Sequence, residues 1–173
     1  MDTMTFHIMN PDGSGEKCLT TGLVLPQGHK GCMDWHPSGE YIVFTCQKEK
    51  YFGKHLPFLS KWLDKLATPG IGINCVLWVM RSDGSRFWRL TDFPIKTRFF
   101  DKQPYTGVFH PHFSHDGTKL FWTERVGGGG ELGEWTLNVA DLYVANNEPL
   151  LENISVYQPG FTPCFYESYG FFP

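Results

Sequence analysis

A chain of 173 residues with 15 lysines and arginines against 18 acids carries a formal net charge of −3, which gives no electrostatic case for nucleic acid as a partner. No apolar run approaches the ~18 residues that span a membrane, and the five cysteines form no Cys-x-x-Cys pair, so neither a zinc site nor a complete disulfide framework is expected. Aromatics at 16% of residues and 19 glycines at turn-like positions suit a packed all-β domain.

The first nine residues lack the charged region, apolar core and cleavage site of a signal peptide. Phe6 to Met9 reads as a strand, Asp12-Gly13 as its turn, and Lys17 to Thr20 as the returning strand. A strand ending near Trp35 then meets Tyr41 to Thr45 across a turn holding Gly39. Residues 46–75 form an insertion in which Leu56, Leu59, Trp62 or Leu63, and Leu66 recur at helical spacing before Thr68-Pro69-Gly70; the spacing predicts a short helix over roughly 57–67 with its apolar stripe on the body of the protein, the alternative being a lid or partner-binding helix. Val76 to Met80 and Phe87 to Thr91 flank Asp83-Gly84. Phe109 to Ser114 and Lys119 to Thr123 flank Asp116-Gly117, and Leu137 to Ala145 and Leu150 to Val156 flank Asn146-Asn147. Residues 162–173 open a further strand, with Phe171 matching Phe113.

Two phrases recur. Met9-Asn10-Pro11-Asp12-Gly13-Ser14-Gly15 with Leu19-Thr20 returns 71 residues later as Met80 to Arg86 with Leu90-Thr91. Trp35 to Thr45 returns 78 residues later as Phe113 to Thr123. Alternating phrases mean a repeat architecture, here two hairpins per unit. Tyr41 to Phe44 and Leu120 to Trp122 are apolar at consecutive positions, which a strand needs only when both faces are buried. Four-stranded antiparallel blades stacked face to face in a β-propeller provide that burial. The predicted organisation is the end of a blade at 1–20, a blade at 31–91 carrying the insertion 46–75, a blade at 109–156 and the start of another at 162–173. About three blades are present, and the chain reads as an internal fragment of a longer protein.

The pairing of Trp35-His36-Pro37-Ser38-Gly39 and Phe113-Ser114-His115-Asp116-Gly117 with the Met9 and Met80 phrases resembles the TolB-like β-propeller repeat. The resemblance covers most of the chain outside the long loops; Ser38 and His115 depart from its Ser-Pro-Asp-Gly turn. It implies a bacterial propeller of a kind that serves as a binding platform, as an enzyme-associated domain and occasionally as an enzyme, and it implies periplasmic export.

The long connections, 21–31, 46–75, 92–108, 127–135 and 157–163, all fall at one end of the strands, and the tight turns at the other. The expected partner is therefore a protein, or a small-molecule or carbohydrate ligand, on the loop-rich face. His110 and His112 sit two apart on a predicted strand and would share a face. With Asp34, which aligns with His112, and Glu167 they could hold a divalent metal at the channel mouth; the alternative is that they are hydrogen-bonded packing residues between blades, and no cofactor is expected. Oligogalacturonate lyases, propellers with histidines and a glutamine on a metal, imply a Gln-x-x-His-x-His pattern, but this chain has Gly107 in the glutamine position. No Gly-x-Ser-x-Gly elbow is present, Asp12, Asp83 and Asp116 are explained by their turns, and Gly127 to Gly130 lacks the Lys-Ser/Thr of a phosphate loop. The expectation is a non-catalytic binding module with no catalytic residue. The alternatives are a metal-dependent propeller enzyme acting on carbohydrate and the propeller domain of a serine peptidase.

Overall fold

The computed structural model describes residues 5–20, 29–48, 72–95, 105–127 and 133–161. Their strands are β1 (His7–Ile8), β2 (Lys17–Cys18), β3 (Lys30–Trp35), β4 (Tyr41–Gln47), β5 (Cys75–Arg81), β6 (Phe87–Arg89), β7 (Gly107–Phe113), β8 (Lys119–Gly127), β9 (Glu134–Ala145) and β10 (Glu148–Phe161). All pairings are antiparallel, in a two-stranded sheet β1-β2 and two four-stranded meanders, β3-β4-β5-β6 and β7-β8-β9-β10. The fold is all-β, with the duplicated phrases as the hairpins of its blades. The helix expected over 57–67 and the strand expected at 162–173 lie outside the described residues.

The consecutive apolar residues of β4 are sorted by alternation onto two faces. Tyr41 and Val43 join Leu77 and Val79 of β5 against Val108, Phe113, Leu120, Trp122 and Ala140 of the next blade. Ile42, Phe44 and Cys46, with Met80, turn the other way and meet Phe6 and Leu19 beside the β1-β2 hairpin. Each fully buried side chain of this size contributes about 1.5–3 kcal/mol, so the blade is held from both sides.

The repeated phrases also repeat their hydrogen bonds. In the Asp-Gly turns, Ser14 N–H donates to Asp12 at 2.9 Å and Ser85 N–H to Asp83 at 2.8 Å. Gly13 and Gly84 take φ of +83° and +76°, the left-handed conformation such a turn needs. The Leu-Thr pair closes each hairpin: Leu19 N–H donates to Phe6 O and Leu90 N–H to Leu77 O, while Thr20 and Thr91 hydroxyls accept the Phe6 and Leu77 amides at 3.1 and 2.9 Å.

The inner strands β3 and β7 carry matching bulges, between Gly31 and Asp34 and between Phe109 and His112. Cys32 and His110 occupy them with the same φ of +46°, uncommon for residues other than glycine. Thr45 and Thr123, opposite on β4 and β8, donate their hydroxyls to Gly31 O at 2.8 Å and Phe109 O at 3.0 Å.

Candidate functional site

The bulge decides how the two histidines stand. Strict alternation, on which their sharing a face was predicted, is interrupted between Phe109 and His112 because β7 has one more residue there than β8 opposes. His110 Nδ1 is buried with no hydrogen-bond partner among the described residues. Burial, and secondarily the neighbouring His112, push the His110 imidazole below its ordinary pKa, so it stands neutral at physiological pH.

Asp34 and His112 do come together. Asp34 Oδ2 accepts the Phe113 N–H at 2.9 Å, its Oδ1 accepts the Trp35 N–H at 3.0 Å, and His112 Nδ1 lies 3.6 Å from Oδ2. The last distance is an electrostatic contact, longer than a hydrogen bond. Burial alone would raise the Asp34 carboxyl; the His112 ring and the two amides outweigh it and hold the group below its ordinary value. The carboxylate thus ties the inner strand of one blade to that of the next. Glu167 lies outside the described residues. Among the described residues no three histidine, cysteine or carboxylate side chains converge as a metal site.

Three of the described thiols, Cys32, Cys46 and Cys75, are not activated as nucleophiles. Burial raises Cys32 and pushes Cys46 up to about 11 and Cys75 to about 12, so they remain protonated. Cys32 and Cys75 are free thiols, and Cys164 lies outside the described residues.

At the loop end of the two large blades the described residues form a clamp. Lys48, just past β4, donates its ammonium to the Asp92 carboxylate and to Phe93 O at 2.6 Å. Arg89 lies 3.3 Å from the same carboxylate. Lys48 N–H donates to Asn74 O at 2.8 Å, and Asn74 N–H to Thr106 O at 3.1 Å. The departure and return of the 49–71 connection are therefore bonded to each other, to the start of the 96–104 connection at Asp92–Phe93, and to its end at Thr106. Gly107 fits tightly beside Gly72: a Cβ there would fall inside the Gly72 carbonyl oxygen and 3.1 Å from Asn74 N. No side chain has room at 107, so a glutamine ligand in the lyase-type pattern cannot be placed there. Trp135 closes over Gly72, and the buried Arg125 guanidinium lies 5.9 Å from the Trp135 ring centre.

This clamp was not read from the sequence. Its members are single polar or small residues far apart in the chain and outside both repeated phrases. The one local signal was Gly107, a glycine opening a strand, which often marks close approach of another backbone.

No protein-family model matches the sequence, and no curated protein does. A solved structure described as "putative TolB" from Agrobacterium tumefaciens is similar to it in fold, with a TM-score of 0.53 at 17% sequence identity. The match covers 92% of this chain and 44% of that one, so the chain spans less than half the length of that protein. The fold is that of a TolB-like β-propeller, seen in part. No helix among the described residues is long and apolar enough to cross a membrane.

Proposed function

We propose that this chain is a non-catalytic binding module of the propeller type, whose ligand meets the side from which the long connections leave. One observation carries the reading. At one end of the strands the links are short: 36–40, 82–86, 114–118 and Asn146–Asn147. At the other end they run over 48–74 and 90–106. Length placed at one end of rigid sheets is where binding surfaces are built. A protonated Cys32 thiol, a neutral His110 and an Asp34 carboxylate engaged by backbone amides give the inner strands the chemistry of a scaffold.

The test compares two variants of the full chain on a peptide-display library and a glycan array. One replaces residues 49–71 by a short Gly-Ser linker; the other changes the opposite end, Ser38→Ala with Glu40→Gln. Selected ligands should be lost by the first and kept by the second. Ligands that survive the linker variant and vanish with the turn variant would refute the assignment.

A further inference from the structure

We propose that the exposed part of the β9–β10 hairpin binds a cationic, extended protein segment that presents Lys or Arg on either side of an apolar side chain, at every second residue. This surface lies at the turn end of the sheets and is separate from the loop-side site. Ten large apolar side chains are exposed among the described residues, and six of them stand on this one hairpin: Tyr143, Val144, Leu150, Ile154, Val156 and Tyr157. Single exposed apolar residues are ordinary, whereas a cluster marks an interaction surface.

Register sorts the hairpin into faces. Ala145 opposes Glu148, Tyr143 opposes Leu150 and Asp141 opposes Glu152, so these six residues share one face. Tyr143 Oη donates across it to Glu152 at 2.6 Å, and the Tyr157 ring stands edge-on to Phe121 of β8 with 6.2 Å between centres. Toward the loop end the same face is closed, with Thr123, Arg125, Trp135 and Leu137 buried. The chemistry of the exposed half alternates: Glu148, Leu150 and Glu152 succeed one another along β10 in steps of about 6–7 Å. Residues 133–161 contain the acids Glu134, Asp141, Glu148 and Glu152 and no lysine or arginine. Lys119 Nζ answers Asp141 at 2.5 Å, and Asn153 donates to its other oxygen at 2.7 Å. Glu148 and Glu152 are left with no ion-pair partner among the described residues. Asp116, in the turn before β8, is held down to about 2 by hydrogen bonds from Ser114 and Thr118 and adds negative charge at this end.

The first blade shows what a blade-covering face is made of, and this face differs. There Tyr41, Val43, Leu77 and Val79 are buried against the second blade. Lys119 takes the place of Tyr41 in the repeat, and it opposes Asp141 where Tyr41 opposes Arg81. An apolar centre edged by an ion pair and two outward carboxylates suits a separate partner with a polar rim. Strand addition at the β10 edge is disfavoured, because Pro149 has no N–H to give and the register shifts after Glu152, Val156 and Gln158. Recognition therefore falls to the side chains of the face. An extended segment matches them, since its own same-side residues repeat at the same spacing.

The probe is a fluorescein-labelled peptide, Thr-Lys-Thr-Leu-Thr-Lys-Thr, read by anisotropy against the full chain. Comparators are the peptide with glutamine for lysine and the isomer Thr-Lys-Leu-Thr-Thr-Lys-Thr, whose leucine faces away from its lysines. The lysine peptide should bind, and its Kd should rise at least about threefold between roughly 0.05 and 0.3 M salt. Tyr143→Ser/Leu150→Ser and Glu148→Gln/Glu152→Gln should each weaken it several-fold. Glu148→Lys/Glu152→Lys should abolish it and take instead the peptide with glutamate for lysine. Glu16→Gln/Glu40→Gln, which removes two acids elsewhere, should leave binding unchanged, as should a Gly-Ser linker in place of 49–71. Thermal melts establish that each variant is folded. The proposal is overturned if the glutamine peptide or the isomer binds equally well, if Glu16→Gln/Glu40→Gln weakens binding as much, or if no peptide binds. Loss of binding in the linker variant would move the site to the loop side and overturn it as well. Sedimentation tests the other occupant: a dimer that Tyr143→Ser/Leu150→Ser dissolves would give this face to a second copy of the chain and overturn the cationic partner.

Discussion

Gly107→Ala isolates the clamp from every other feature of the fold. An added methyl would overlap the Gly72 carbonyl oxygen and stand 3.0 Å from its carbon and 3.1 Å from Asn74 N. All three are backbone atoms, so no side chain can swing away. Relief requires β7 and the 72–74 turn to separate, and that stretches the Asn74 N–H···O Thr106 bond, already 3.1 Å. Overpacking of this kind costs about 1–3 kcal/mol, and leaving a buried amide without its acceptor costs about 1–3 kcal/mol more. The expected loss is roughly 2–6 kcal/mol, or a melting temperature lower by about 5–20 °C for a chain of this size. Gly13→Ala supplies the contrast: its φ is +83° but nothing lies within 4 Å of the new carbon, so it should cost only the left-handed strain of about 1–2 kcal/mol. Circular-dichroism melts give the two costs, and hydrogen exchange at the Asn74 amide reports whether the clamp has opened. A Gly107→Ala variant that melts within about 2 °C of the parent, or keeps Asn74 protected, would refute the close approach.

Thr45→Val and Thr123→Val each remove the hydroxyl that satisfies the carbonyl before a bulge, and each should cost about 1 kcal/mol in chemical denaturation. They lie on different blades, so the double variant should lose the sum; a large deviation would show that the bulges are coupled. Asp34→Asn tests the tie between inner strands. Because the Asp34 pKa is depressed in the folded state, its stabilisation is present above the unfolded-state value near 3.9 and is lost as pH falls through the folded value. The variant should be less stable at pH 7 and should flatten the acid limb of the melting profile, and an unchanged acid limb would remove Asp34 from this role. Glu124 has the opposite sign: burial raises its pKa, so the folded state is favoured at low pH and weakens as pH rises from the unfolded value near 4.3 through the folded one. Glu124→Gln, whose amide oxygen can still accept from Asn138, should melt higher than the parent at pH 7 and lose that slope.

The blades were legible because their determinants are local. An Asp-Gly turn, a Leu-Thr pair after the returning strand and an unbroken apolar run each report on the residues beside them, and each recurs. What the pattern did not disclose was the reason for Leu-Thr, a hydroxyl that accepts the amide opening the hairpin. The bulges were not legible, because Cys32 and His110 share no chemistry; the matching signal lies across the strand, in Thr45 and Thr123, and its meaning needs the register. The expectation for the two histidines was read from spacing by two, which defines a face on a regular strand, and the bulge between Phe109 and His112 interrupts that alternation. Of the four residues named for a metal, the structure joins His112 and Asp34, gives His110 a buried ring nitrogen, and leaves Glu167 outside its described residues.

The two ends of the sheets are fastened in different ways. At the turn end one blade touches the next through the turns themselves. Lys17 donates to Asp83 O at 2.6 Å, His36 Nε2 lies 3.0 Å from Gly117 O, and Arg81 donates to Asn147. Gly84 is packed against the Leu19 carbonyl and Gly117 against the His36 ring, so neither turn has room for a side chain. Lengthening any of these turns would pry blades apart. At the loop end the blades are joined below the connections, by the Lys48, Asn74 and Thr106 backbone bonds and the Gly72–Gly107 approach. These bonds and this approach involve only residues that flank the long connections. A joint held by backbone hydrogen bonds and a glycine-to-glycine approach is the kind of rigid base on which a recognition surface is best built.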